Sequence, residues 1–218
     1  MATEQFIPSV RTASHFSGAR WVKRAGDIVV SLAALLFLFP LLLLLVFLIK
    51  GDGGPVLFSH QRVGKDGKVF SCLKFRTMVP GASAKLAEVL AADPRAAEEW
   101  AAAYKLSNDP RITKAGNFLR VTGLDELPQL LNVLKGEMSL VGPRPIVEPE
   151  LTRYGPYKGY YLSVRPGITG LWQVSGRNAI SYGRRVALDK RYVETWSLWA
   201  DIVILARTPI EVLFARGR

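Results

Sequence analysis

The stretch Ile28–Ile49, IVVSLAALLFLFPLLLLLVFLI, runs 22 residues without a charge and carries one proline, Pro40, near its middle. Roughly 20 apolar residues rising 1.5 Å each are enough to cross a bilayer core of about 30 Å. Pro40 has no backbone N–H, and its ring collides with the carbonyl of Leu36, so a helix through the run must bend or break there. The arms on either side would reach only about 18 and 13 Å, roughly half of the core each. Flanking charge is balanced: Arg11, Arg20, Lys23 and Arg24 precede the run, and Lys50, Arg62, Lys65 and Lys68 follow it. A spanning helix normally separates its cations to one side, whereas a segment that enters and leaves on one face does not. A kinked spanning helix is the other reading, because such helices tolerate proline.

Composition narrows the function classes around this run. The 218 residues have room for one domain plus a membrane element, with 49% hydrophobic residues and a net charge of +11. That charge suits nucleic acid, or anionic lipid head groups together with phosphorylated substrates. A nucleic-acid binder has no use for the apolar run, so lipid is expected and nucleic acid is not. The single cysteine, Cys72, excludes an internal disulfide and suits a reducing cytoplasmic setting. The run starts too late and is too long for an ordinary signal peptide, and IKGDGG after it is no cleavage site. Two histidines, His15 and His60, cannot form a metal site by themselves, and no Ser-His-Asp set, zinc spacing, GxGxxG or Walker loop is present.

Three segments follow: a polar, flexible N-terminus over 1–20, the membrane element over 21–50, and the remaining domain over 51–218. Val56–Gly64 and Val69–Arg76 flank KDGK, and Asp66-Gly67 predicts a two-residue hairpin turn. Ser83–Leu106 reads as helix, split where Asp93 caps and Pro94 opens a second helix. Phe118–Leu134 reads as largely helical, with Leu124, Leu127, Leu131 and Leu134 on one stripe. Beyond it the chain reads as irregular until Ser181. From there to Leu213 the pattern is helical, with Trp196 and Trp199 among Arg and Lys, as in a helix lying at a membrane interface.

Asp125 and Glu126 are adjacent carboxylates in this pattern. A capping box with Thr122 as the cap would place Pro128 in the helix interior, where it costs a hydrogen bond. A helix starting at Asp125 tolerates Pro128 in its first turn. Two carboxylates at a helix start repel phosphate unless a divalent cation or arginines intervene, and such oxygens suit Mg²⁺. Cations able to bind phosphate stand nearby: Lys74 and Arg76 in KFRTM, Arg120, and Arg144 between Pro143 and Pro145. Each of these alone reads equally well as a solvated surface charge. Gly167, Gly170 and Gly176 allow close backbone approach to a ligand, and Trp172 suits either a stacked base or a core. Together these residues point to phosphate chemistry at a membrane surface.

The same stretches carry a resemblance. KFRTM, LDELPQLLNVLKGEMSLVGPRP, RPGITGLWQVSGRN and YVETWSLWADIVIL, in this order between about Lys23 and Leu213, resemble the bacterial sugar transferases, the monotopic phosphoglycosyl transferases. The chain looks most like the short exopolysaccharide-initiating type, without the extra N-terminal membrane helices of longer members. The resemblance implies an α+β, mostly helical monotopic membrane protein on the cytoplasmic face of the bacterial inner membrane. Its parts would be a re-entrant segment broken at Pro40, one β-hairpin and interfacial amphipathic helices. It implies transfer of galactose- or glucose-1-phosphate from a UDP-sugar to undecaprenyl phosphate with release of UMP, Asp125 as the covalent nucleophile, Glu126 as its partner, and Mg²⁺ held at the pair. The alternatives are the same fold acting on an N-acetylated UDP-sugar, or a non-catalytic membrane anchor or assembly adaptor. Lys74, Arg76, Arg120 and Arg144 would be phosphate or structural contacts, and Arg165, Gln173 and Arg177 further substrate-binding candidates. UDP-sugar, undecaprenyl phosphate and anionic lipid are then the partners, with a homodimer left open. Family members break the helix at a Ser-Pro pair. Phe39-Pro40 stands here instead, so the freed carbonyls have one hydroxyl fewer to bond.

Overall fold

The computed structural model describes residues 17–103, 105–176 and 180–214; most of the expected flexible N-terminus lies outside them, and α1, Ser17–Phe37, already covers 17–20. A one-residue break at Leu38 separates α1 from α2, Phe39–Lys50. Pro40 therefore sits in the first turn of α2, where a missing N–H is no loss, and the disruption falls two residues before the proline. Among the described residues no single helix is long and apolar enough to cross a membrane, but the two together are, and they are bent by 64° at the break.

The hairpin forms as expected: β1, Leu57–Val63, pairs with β2, Val69–Phe75. Asp66 and Gly67 adopt φ of 57° and 77°, the left-handed values that a tight hairpin turn demands. α3, Ala82–Ala92, and α4, Pro94–Ala103, part at Asp93, whose side chain accepts from Arg95 N at 2.9 Å. The continuous helix expected over Phe118–Leu134 is instead three pieces: α5, Lys114–Thr122, a 3₁₀ turn over Leu124–Glu126, and α6, Gln129–Lys135. Gly123 at φ 72° ends α5, and Pro128 stands just before α6. The region expected to be irregular contains β3, Ser139–Val141, α7, Glu148–Leu151, α8, Lys158–Leu162, and β4, Gly167–Thr169. The last stretch is two helices, α9, Tyr182–Glu194, and α10, Leu198–Phe214. The fold is thus α+β and mostly helical, with two small two-stranded sheets among the described residues.

The chain divides into two compact units, one comprising residues up to Leu38, Ser59–Leu73 and Pro128 onward, the other Phe39–Phe58 and Lys74–Leu127. In the first, Val63, Ile146, Tyr154, Tyr161 and Val186 form a core. β3 and β4 pair in parallel, Ser139 with Gly167 and Val141 with Thr169. A Cβ on Gly167 would fall 2.1 Å from Gly142 N, and one on Gly170 2.1 Å from Gly142 O. Those two glycines are therefore occupied by the chain's own backbone rather than open to a ligand. α1 joins this unit through buried polar groups. Asp27 accepts from Ser139 Oγ at 2.8 Å and Leu140 N at 3.3 Å, and Lys23 Nζ donates to Asp201 at 2.6 Å. In the second unit, Leu45 and Ile49 of α2 pack with Phe75 and Leu119.

Candidate active site

Gly116 fixes where α5 lies. A Cβ there would fall 2.0 Å from the carbonyl oxygen of Thr77, so only glycine lets the helix press against the segment after β2. Thr113 caps the helix by accepting from Gly116 N at 2.8 Å, and its own N–H donates to Thr77 O at 3.1 Å. One turn later, Arg120 Nε donates to Thr77 Oγ1 at 2.9 Å. Nothing in the sequence pattern marked Thr77 or Gly116 as partners, because each looks ordinary without the other.

The 3₁₀ turn after Gly123 then presents the carboxylates. At three residues per turn, Leu124 and Leu127 lie on one side, and both pack against the Leu45–Phe75–Leu119 core. Asp125 and Glu126 between them are left to project elsewhere. Of the expected leucine stripe only Leu124 and Leu127 anchor this turn; Leu131, on α6 in the other unit, is exposed. Lys74, near the end of β2, places Nζ 2.6 Å from Glu126 Oε1 and 3.6 Å from Asp125 Oδ2. The Asp125 side chain is 13% exposed against 33% for Glu126. Burial raises the Asp125 pKa above the usual aspartate value; Lys74 pulls it down, Glu126 pushes it up, and Arg120 pulls it down. Such a carboxylate is poorly solvated and faces a single shared ammonium, which suits a nucleophile better than a structural ion pair.

The remaining predicted residues divide between the two units. Arg76 shares a unit with the pair but is fully engaged: it bonds both Asp52 oxygens and the carbonyls of Ile49, Pro55 and Met78. Five donors meet five acceptors, which gives it the structural role of the two that the resemblance allows. Asp52 is held down at about 2 by that fork. Arg144, Arg165 and Gln173 belong to the other unit. Arg144 lies 5.7 Å from the Trp172 ring centroid and Arg185 4.9 Å from it. Trp172 is 6% exposed, so it is a buried, arginine-flanked ring and not an open platform for a base. Arg165 Nε donates to Gly136 O at 2.7 Å, and Gln173 Nε2 to Ile168 O at 3.4 Å. Arg177 lies outside the described residues.

No cluster of three or more His, Cys, Asp or Glu able to hold a metal occurs among the described residues. Two adjacent, partly exposed carboxylates nevertheless fit Mg²⁺, which keeps waters and binds through one or two carboxylates plus substrate phosphates.

Residues 18–215 match the family model described as bacterial sugar transferase. The chain is 55% identical over 199 residues to an undecaprenyl-phosphate galactose phosphotransferase of Salmonella typhimurium, covering 91% of this chain and 42% of that one. It is 54% identical over 196 residues to a UDP-galactose-lipid carrier transferase of Erwinia amylovora, covering 90% and 41%. With the exopolysaccharide production protein ExoY of Rhizobium meliloti it shares 50% identity over 213 residues, covering 97% and 94%. The chain thus spans about two fifths of the first two relatives and nearly all of the third.

Proposed function

Because the chain belongs to the bacterial sugar transferase family, we propose that it transfers galactose- or glucose-1-phosphate from a UDP-sugar to undecaprenyl phosphate, releasing UMP, and so starts lipid-linked exopolysaccharide assembly. The observation that carries the chemistry is the half-buried Asp125 on its leucine-anchored turn, 3.6 Å from Lys74.

An Asp125 carboxylate oxygen attacks the phosphorus that bears the sugar. The bond to the bridging oxygen breaks, UMP leaves with that electron pair, and the sugar phosphate stays on Asp125 as an acyl phosphate. A phosphate oxygen of the lipid then attacks the same phosphorus, the bond to Asp125 breaks, and the free carboxylate returns. Two half-reactions at one carboxylate give ping-pong kinetics. Lys74 offsets the crowding of two anions and orients Glu126. Asp125 and Glu126 would hold Mg²⁺, whose chemical contribution is to neutralise charge on the diphosphate. Arg120 adds positive charge close to Asp125 while its Nε stays tied to Thr77.

The proposed topology is re-entry on the cytoplasmic face, for which the balanced flanking charge and the break at Leu38 speak. Cysteine at Ser17, in a Cys72→Ser background, should resist a membrane-impermeant thiol reagent in intact cells; labelling from outside would make the segment a span. For the reaction, UMP release should be measured over UDP-galactose, UDP-glucose and their N-acetylated counterparts with undecaprenyl phosphate and Mg²⁺. Release with the first two is expected. Release only with the N-acetylated sugars would overturn the donor, and release with none would overturn the reaction.

A further inference from the structure

A second concentration of charge lies in the unit that does not contain Asp125. The first turns of α1 and the loops beside β3, α8 and α9 enclose a cavity of about 120 Å³. That is well below the roughly 300–1,000 Å³ of a pocket for a drug-sized ligand, so it suits a head group rather than a whole nucleotide sugar. Five cations line it, Arg20, Lys23, Arg24, Lys65 and Arg165, against one acid, Asp27. Lys23 is neutralised by Asp201 at 2.6 Å, and Asp27, which accepts from Ser139 and Leu140, is left as the one carboxylate facing Arg20, Arg24, Lys65 and Arg165.

The bland reading is that these arginines cap α6, and two of them do. Arg24 donates to the carbonyls of Val133 and Leu134, and Arg165 to that of Gly136. Those are three of the ten N–H donors that two guanidinium groups carry. Carbonyls satisfy hydrogen bonds but leave both charges in place, and the two are close enough to repel each other. Arg20 and Lys65 bond no other element among the described residues. The apolar part of the wall is supplied by Val141, Val164, Val193 and the Trp196 indole. Arg24 stands four residues before the apolar run begins, about 6 Å along the helix axis, which is head-group depth for a segment entering the bilayer at Ile28.

We propose that this cavity binds the phosphate of an anionic bilayer phospholipid, its glycerol side against the apolar wall. The site is separate from the transferase reading and does not depend on it. It seats α1 at a fixed depth by pairing the uncompensated guanidinium charge with a lipid rather than with protein.

The test uses the full chain purified in neutral detergent and native mass spectrometry with phosphatidylglycerol or phosphatidylcholine. One phosphatidylglycerol should be retained and phosphatidylcholine should not. Arg20→Gln with Lys65→Gln removes two pocket charges without breaking a bond between elements, and should weaken retention at least tenfold. Lys85→Gln with Arg95→Gln, an equal loss of exposed charge on α3 and α4, should leave it unchanged. Equal retention of phosphatidylcholine, an unaffected pocket variant or an equally weakened control would each overturn the site. Displacement by millimolar inorganic phosphate would make it a free-anion site, and displacement by stoichiometric undecaprenyl phosphate an acceptor site; either result overturns the proposal.

Discussion

Asp52 and Asp125 lie in the same compact unit and each faces a cation, yet their ionisation moves in opposite directions. Asp52 is exposed and gripped at both oxygens by Arg76, and its pKa falls to about 2. Asp109 is likewise held below the carboxylate range by Arg111. Asp125 is half-buried, with Arg120 as a lesser counter-charge and a lysine at 3.6 Å that lies closer to Glu126, and its pKa rises. A planar fork aimed at an accessible carboxylate freezes it as an anion. A point charge shared between two acids, one of them desolvated, leaves an oxygen with unspent reactivity. On the proposed reaction the contrast separates a structural acid, Asp52, from a chemical one, Asp125, within one unit.

The largest effect that would test this contrast is at the chemical acid. Asp125→Asn keeps the shape but loses the attacking oxygen, and turnover should fall by several orders of magnitude. Intact-protein mass spectrometry with UDP-sugar and no lipid acceptor should show a sugar-phosphate adduct on the wild type, mapped to the Asp125 peptide. Glu126→Gln should be severely impaired yet still trap some adduct. An adduct surviving in Asp125→Asn would sink the assignment.

Next in size is Lys74→Met. One charge-assisted contact is worth about 1.5–3 kcal/mol, so turnover should drop roughly tenfold to a hundredfold. The sharper readout is the acid limb of the pH–rate profile. Asp125 must be ionised to attack, so activity is lost as pH falls through its raised pKa. Removing Lys74 takes away a charge that lowers that pKa and should move the limb to higher pH. Glu126→Gln takes away one that raises it and should move the limb to lower pH. Shifts of the same sign in both variants would break the electrostatic account.

The smallest effect belongs to the structural acid. Asp52→Asn should leave kcat/KM unchanged and lower the thermal midpoint by the same amount at pH 5 and pH 8. Its folded pKa is depressed, so the stabilisation it gives is complete above the ordinary carboxylate value of about 3.9 and is lost as pH falls towards about 2. The gap between variant and wild type should therefore close only below about pH 4. A gap that already narrows between pH 8 and 5 would refute the pairing.

Local signals carried much of this architecture. Asp66-Gly67 marked the hairpin and Asp93-Pro94 the α3–α4 break, because turn and cap chemistry act within a few residues. Pro40 marked the broken apolar helix to within two residues. The Asp125-Glu126 pair was visible, but not its setting. The leucine period at 124, 127, 131 and 134 continues across Pro128, and helical spacing does not distinguish a 3₁₀ turn plus a short helix from one long helix. β3 and β4 are three residues each, pair across the intervening α7 and α8, and carry no period to detect. The flanking of Trp172 depends on Arg144 and Arg185, residues 28 and 13 positions away, and Gly116 fits against Thr77, 39 positions before it.

The polar anchors of α1 have a consequence for biosynthesis. Lys23 precedes its partner Asp201 by 178 positions, and Asp27 precedes Ser139 by 112. At a synthesis rate of about 5–20 residues per second, Asp201 leaves the ribosome roughly 9 to 36 seconds after Lys23. Until then Lys23 and Asp27, one helical turn apart, have only each other and water to pair with. Docking of the late-made chain onto a helix made long before it is therefore the closing event of assembly.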